Sequence, residues 1–343
     1  MNYVTRICTL FLMYFPAFGS MMIDSTDATN DFYDNEKIVD LPLKQIMVGG
    51  EIANPGLVDI TVLPVRSVIV KEAILKNGKD SFVGAYRYDG YSLYDILNER
   101  QLRKKNEKEF PRCIDMYVVV ENSTGKKTVV TWGELYYPNN RHQIIIANRV
   151  LRIVPSLTKE LWPLPGKAKL VVGHDLLSER NIDDPVKITV YSANKVFPIN
   201  KEMKPLYADA IAVYKGDAAA LVIDKPHYEL NAQTYSTVFY GRGKGIHGIS
   251  TFNGVPLKSV FSTVFGINAK NIQQGFFVIS SADGYRVTYS FSEIFNRNDQ
   301  AETLLIYRGK DDDGGKFSLF PAADFFSDRA IKAVSGIYYM TIK

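Results

Sequence analysis

Past residue 41 the apolar positions form short β-rich runs that alternate with short helical ones. Tyr117-Val118-Val119-Val120, Ile144-Ile145-Ile146, Lys187-Ile188-Thr189-Val190 and Phe276-Phe277-Val278-Ile279 are rich in β-branched and aromatic residues and predict strands. Stretches such as Leu93 to Gln101 carry the spacing of a short amphipathic helix. The mixture predicts an α+β fold.

The pattern also repeats along the chain. Tyr88-Asp89-Gly90-Tyr91-Ser92-Leu93 matches Phe252-Asn253-Gly254-Val255-Pro256-Leu257, and a helical stretch follows each. The strand running from Tyr117 into Gly125 matches the one running from Phe276 into Gly284, 159 residues later. At the same offset Trp132-Gly133-Glu134-Leu135 meets Phe291-Ser292-Glu293-Ile294. A third match sets Leu151-Arg152-Ile153-Val154-Pro155 against Phe317-Ser318-Leu319-Phe320-Pro321, each a strand stopped by proline. The sequence thus predicts two tandem mixed α+β domains, 42–192 and 205–343. They are joined by a polar linker, 193–204, that passes Asn194 and Pro198 and runs into Pro205.

Composition narrows the function classes. The chain has 343 residues, 46% hydrophobic and 23% charged, as ordinary folded proteins do. Its 41 Lys and Arg against 37 Asp and Glu are too nearly balanced for nucleic-acid binding to be its main task. With 2 Cys and 4 His there is no disulfide framework and little material for a zinc or iron–sulfur site. The 21 Tyr and 19 Phe must carry much of the core.

The first residues change the compartment. Arg6 precedes an uncharged apolar run from Ile7 to Phe18 and then Gly19-Ser20, the layout of a secretory signal peptide over 1–22. The run is shorter than the roughly 20 residues that span a bilayer, which argues for a cleaved leader rather than a transmembrane anchor. A twin-arginine pair is missing. A polar, acidic stretch, 23–41, reads as a flexible leader to the folded part. Removal of the leader takes Cys8 with it and leaves Cys113 as a lone thiol. The expected destination is the periplasm or surface of a bacterial cell.

The order aromatic-x-Gly-x-x-Leu then helix, Ser281-Ala282-Asp283-Gly284-Tyr285 after a strand, and Val150-Leu151-Arg152-Ile153-Val154-Pro155 followed by Pro165-Gly166-Lys167-Ala168-Lys169 resembles the molybdopterin-binding domain of the sulfite oxidase family. Each half carries the resemblance incompletely; together it spans most of the mature chain. In that family basic side chains and backbone amides hold a pterin phosphate, and a cysteine before the aromatic-x-Gly-x-x-Leu segment binds molybdenum. Both corresponding loops here lack it: one reads Ser81 to Tyr86, the other Tyr240 to Gly248. Neither Ser81 nor His247 matches a thiolate in donor strength. Cys113 lies downstream of the helix, in the place of a small buried residue.

The candidate residues follow from the loops and from the resemblance. Gly241-Arg242-Gly243-Lys244-Gly245-Ile246-His247-Gly248 brings glycine amides together with Arg242, Lys244 and His247, which would suit a phosphate. Its plain alternative is a solvated basic loop. The resemblance turns Asp283, Tyr285 and Arg286 toward the ligand, whereas Asp-Gly alone is a turn signal. It also implies anion-holding roles for Arg152, Lys167 and Lys169, with Arg329 and Lys332 in the second half. His142 and His174 lack metal-ligand spacing and read as satisfied histidines. Asp311-Asp312-Asp313-Gly314-Gly315-Lys316 lacks the closing Glu of a calcium loop and reads as an exposed hairpin tip.

Together these residues point to an exported protein of two degenerate molybdopterin-binding-like repeats. It would hold a pterin or another small phosphate-bearing ligand, or a protein partner, without redox turnover. The enzyme alternative is a molybdopterin-dependent oxidoreductase with an atypical metal ligand. The third is a structural module of the cell envelope.

Overall fold

The computed structural model describes residues 34–241, 243, 245–309 and 313–342. The expected signal peptide and most of the segment after it lie outside the described residues. The protein is mostly β, 47% strand against 13% helix, and its strands form a four-bladed arrangement of sheets. This corrects the α+β expectation. The amphipathic stretches are real but only one turn or so long, as Leu93–Asn98 shows. That helix starts on the Ser92 side chain, which accepts from the Asp95 amide, and stops where the polar run from Glu99 offers no apolar face. Meanwhile the long alternating segments Arg66–Lys76 and Lys79–Ser92 pair as one hairpin. Asn77 and Gly78 close it, both in the left-handed region that such a turn needs.

Two sheets come from residues 34–192. One runs Gly56–Asp59, Gln45–Gly50, Pro185–Ser192, Met116–Asn122, Lys127–Thr131. Its partner sheet is built on Arg66–Lys76, Lys79–Ser92, Ile144–Val154 and Lys169–Val172. The same order returns later: Ala218–Ile223, Ile211–Lys215, Val334–Thr341, Gly275–Ser281, Arg286–Ser290, with a partner sheet of Gln233–Gly241, Gly245–Pro256, Thr303–Tyr307 and Phe317–Pro321. Even the parallel pair recurs, Gln45–Gly50 with Pro185–Ser192 and Ile211–Lys215 with Val334–Thr341.

Register fixes the equivalences. Leu170 faces Ile146 as Leu319 faces Leu305. Ile146 and Leu305 are therefore 159 residues apart, but Leu170 and Leu319 only 149, because the first copy carries ten more residues between these two strands. Phe317–Pro321 is thus the counterpart of Lys169–Val172. The sequence match to Leu151–Pro155 paired strands that do not correspond.

In each half the core lies between its two sheets. Ile46, Val118 and Ile188 pack toward Ile146 and Leu170 in the first; Val213, Ile279 and Ile337 pack with Leu305 and Leu319 in the second. A smaller cluster of Val129, Ala193, Phe197, Phe276 and Val278 binds the halves together. Among the described residues no helix is long and apolar enough to cross a membrane.

Candidate functional site

The halves meet through two one-turn helices, Trp132–Tyr136 and Phe291–Phe295, each opened by a capping box. Thr131 and Ser290 are the caps, and Glu134 and Glu293 reach back to them. Each cap also serves the other copy. Thr131 Oγ1 donates to Glu293 at 2.7 Å, and Ser290 Oγ donates to Glu134 at 3.2 Å. Such reciprocal contacts are the mark of an approximate two-fold axis.

Each glutamate is held by a fully buried arginine of its own half. Arg180 clamps Glu134 and Asp175, with Nη1 at 2.9 Å and Nε at 2.8 Å. Arg329 clamps Glu293 and Asp324, with Nη1 at 2.6 Å and Nε at 2.7 Å. Burial alone would push the Glu134 carboxyl up, but Arg180 and the His174 bond outweigh it and hold it well below the usual carboxylate range. Burial wins at Asp175 and Asp324, whose carboxyls are raised. Both guanidiniums stay charged despite burial, each between two carboxylates.

Above this network, on the same axis, opens a polar cleft of about 320 Å³. Its walls are related pairs: Asn139 with Asn298, Pro138 with Arg297, Asn140 with Asp299, and His174 with Ala323. The Asn139 amide donates to the Ala323 carbonyl at 2.9 Å, and the Asn298 amide to the His174 carbonyl at 3.0 Å. The backbone is symmetric; the side chains are not. One copy supplies His174, whose Nε2 lies 2.7 Å from Glu134 Oε1 and donates to it when that carboxylate is ionised. The other supplies Arg297, whose Nε donates to Asp299 at 2.8 Å. Burial lowers and Asp299 raises the affinity of Arg297 for its proton, and Asp299 prevails. For Asp299 the bonds from Arg297 outweigh burial and draw its carboxyl down.

No family model and no curated protein matches this chain. Among solved structures it is weakly similar to the sulfane dehydrogenase SoxCD from Paracoccus pantotrophus. That likeness has 9% identity and a TM-score of 0.29 and covers 87% of this chain and 75% of that one.

The residues singled out in the sequence are dispersed over the fold rather than gathered in one place. Arg152 and Lys169 lie on strands Ile144–Val154 and Lys169–Val172 of the first half, Lys167 lies in the bend before the latter, and all three are engaged there. Arg152 Nε donates to the Trp162 carbonyl at 2.5 Å, Lys167 pairs with Asp184 at 2.6 Å, and Lys169 pairs with Glu72 at 2.8 Å. Asp283 accepts from the Tyr285 amide inside its turn at 3.0 Å, and the Tyr285 hydroxyl donates to the Asp328 carbonyl at 2.6 Å. Arg286 is fully buried against Asp115 at 3.1 Å and Glu109 at 2.8 Å, between the rings of Phe110 and Phe197. Arg242 and Lys244 lie outside the described residues; the backbone around them is a hairpin tip, with Gly241 paired to Gly245 and His247 on the returning strand. Of the remaining candidates, Arg329 belongs to the axial network, and the Lys332 carbonyl accepts from Ser281 at 2.9 Å.

The cleft's donor set does not fit a molybdenum centre. Its lining holds no thiol, and Cys113 packs against the first-half core instead. Glu134, His174 and Asp175 do bring ligand atoms within 4.8 Å of one another, but the Arg180 guanidinium already fills the place of a cation between the two carboxylates. A signal for the network was present in the sequence. Asp175-Leu176-Leu177-Ser178-Glu179-Arg180 repeats as Asp324-Phe325-Phe326-Ser327-Asp328-Arg329, 149 residues on.

Proposed function

We propose that the protein is an exported binding protein for a small, neutral, hydrogen-bonding ligand such as a pterin ring, held in the axial cleft without redox turnover. The observation that carries this reading is the asymmetry of an otherwise symmetric cavity. A duplicated scaffold that served only to pack its halves would have no use for His174 opposite Ala323, or for Arg297 and Asp299 opposite Pro138 and Asn140. The volume suits a small organic molecule, and convergent polar groups fix orientation in such sites.

Charge selects the ligand class. Arg180, Arg297 and Arg329 face five carboxylates, those of Glu134, Asp175, Asp299, Glu293 and Asp324. A bare phosphate gains nothing from that surplus, while the neutral amide and amino N–H donors of a pterin ring do. The quoted motifs that resemble the sulfite oxidase family's pterin-binding domain point to the same ligand class, and of the residues given an anion-holding role there, Arg152, Lys167 and Lys169 do not line the cleft.

The test is fluorescence titration of the mature protein with an oxidised pterin, beside His174→Ala and Arg297→Ala. We expect saturable binding that weakens about tenfold in each variant. No binding, or equal affinity in all three proteins, would overturn the reading. Elemental analysis of protein from its own host checks the second clause: molybdenum or tungsten near one equivalent would make it an oxidoreductase.

A further inference from the structure

A second cavity, of about 300 Å³, opens on the far face of the sheet that carries Tyr117 and Thr189, and the second half shows what such a place holds. The register sets Thr189 against Val119 as it sets Tyr338 against Val278, so Thr189 and Tyr338 are equivalent positions. By the same reasoning Gly49 corresponds to Tyr214, and Gly125 to Gly284.

On the second half this face is covered by the chain's own linker. The Ala193 amide donates to the Asp115 carbonyl at 3.0 Å as the segment leaves its strand. Lys195 then lies 4.1 Å from the Tyr338 ring centre, and the Phe197 ring sits 5.4 Å from the same ring. The Pro198 carbonyl rests against Gly284, where a Cβ would come within 2.3 Å of it, and the Asn200 amide donates to the Asp283 carbonyl at 2.9 Å. The segment is thus an extended peptide that seats an aromatic ring on the sheet and crosses a glycine turn.

On the first half, the second half covers the equivalent face at Val119 and Val129, but the part over Gly49, Thr189 and Gly125 has no such covering segment among the described residues. Cβ atoms built on Gly49 and Gly125 meet nothing within 4 Å. Thr189 leaves open the space that a tyrosine fills in the other copy. Tyr117 and Tyr191, stacked at 5.5 Å, form one wall, and Met340 and Ile342 form the other. The entry geometry is kept, since the Ile342 amide donates to the Gln274 carbonyl at 3.1 Å, the counterpart of Ala193 with Asp115. Lys127 and Lys187 line the groove against the single acid Glu121.

We propose that this groove binds an extended peptide segment of a partner protein, seated as the linker is on the other half. Its anchor is an aromatic side chain over Thr189, and an acidic residue beside the anchor meets Lys187. One buried ring beside a complementary charge is enough to anchor such a segment. The site shares no residue with the axial cleft and does not depend on what the cleft holds.

The experiment is selection from a displayed random decapeptide library on the full mature chain, followed by polarisation titrations of the enriched peptides. Two variants are compared with the unaltered protein: Thr189→Trp, which fills the groove from within, and Lys187→Glu, at an exposed position opposite Glu121. We expect enriched peptides with an aromatic residue near an acid, and affinity reduced about tenfold by Thr189→Trp and at least about threefold by Lys187→Glu. Should Thr189→Trp fail to fold, Lys187→Glu decides alone. Failure to enrich any peptide, or peptides indifferent to the variants, would overturn the proposal. So would self-association of the chain that Thr189→Trp abolishes, which would assign the groove to a second copy.

Discussion

The Thr131 hydroxyl donates to the Glu293 carboxylate across the approximate two-fold axis at 2.7 Å, while accepting from the Glu134 amide of its own helix at 3.1 Å. One side chain therefore caps a helix in one copy and satisfies a buried charge in the other. Loss of the hydroxyl should cost both terms, about 2–4 kcal/mol from a lost cap and an unpaired carboxylate oxygen. Thr131→Val should show that loss in urea denaturation. Thr131→Ser, which copies what Ser290 does in the other half, should stay close to the unaltered protein. Equal stability of all three would mean that the cross-axis bond contributes nothing.

The legible and illegible parts of this molecule divide along physical lines. The strands around Val118, Ile145, Ile188 and Val278 announce themselves by β-branched runs, and the structure places strands there. The hairpin of Arg66–Lys76 with Lys79–Ser92 leaves a weaker trace, because Ile69 and Phe82 are exposed and Glu72 is buried, which blurs the alternation. One-turn helices such as Trp132–Tyr136 depend on a cap rather than on an apolar stripe, so their residue pattern overstates their share of the fold. The axial network was written as two Asp-x-x-Ser-x-Arg segments, but the ten extra residues of the first copy shift that match away from the 159-residue offset of Glu134 and Glu293. The cleft itself could not be read, since His174 and Arg297 are far apart in sequence and only reciprocal pairing across the axis brings them together.

Arg286 separates packing from ligand binding. The resemblance turns it toward a ligand, yet its guanidinium lies between Phe110 and Phe197 and pairs with Asp115, which Lys104 also meets at 2.7 Å. Arg286→Ala leaves Asp115 and Glu109 short of a partner inside the protein and should cost about 3–5 kcal/mol. Ligand affinity of the folded fraction should not change. A large loss of affinity at unchanged stability would restore Arg286 as a binding residue.

Buried phenols set an alkaline limit. Burial pushes Tyr117 and Tyr339 up to about 12 and Tyr289 well above its ordinary value. An unfolded tyrosine titrates near 10. Between about pH 10 and 12 the unfolded chain gives up these protons and the folded one keeps them, so stability is intact below pH 10 and falls as pH rises through that window. Absorbance near 295 nm should show exposed tyrosines ionising first and the buried set only with loss of the folded circular dichroism. Complete ionisation near pH 10 with the fold intact would contradict this.

The two histidine-related positions allow the cleft to be tested by exchange rather than by damage. His174 and Ala323 occupy the same backbone place, and each carbonyl accepts the amide of Asn298 or Asn139 whatever the side chain. His174→Ala therefore gives the first copy what the second already tolerates. It removes one bond to Glu134, which Arg180 continues to hold at 2.9 Å, so the stability cost should stay near 1 kcal/mol. Binding should suffer far more, because the ring is the one basic side chain that this copy sends into the cleft. If affinity and stability fall in proportion, His174 is a strut of the network and the cleft is packing. If affinity falls alone, a later Ala323→His in the same protein should recover part of it, since the symmetric backbone offers the ring an equivalent seat on the opposite wall.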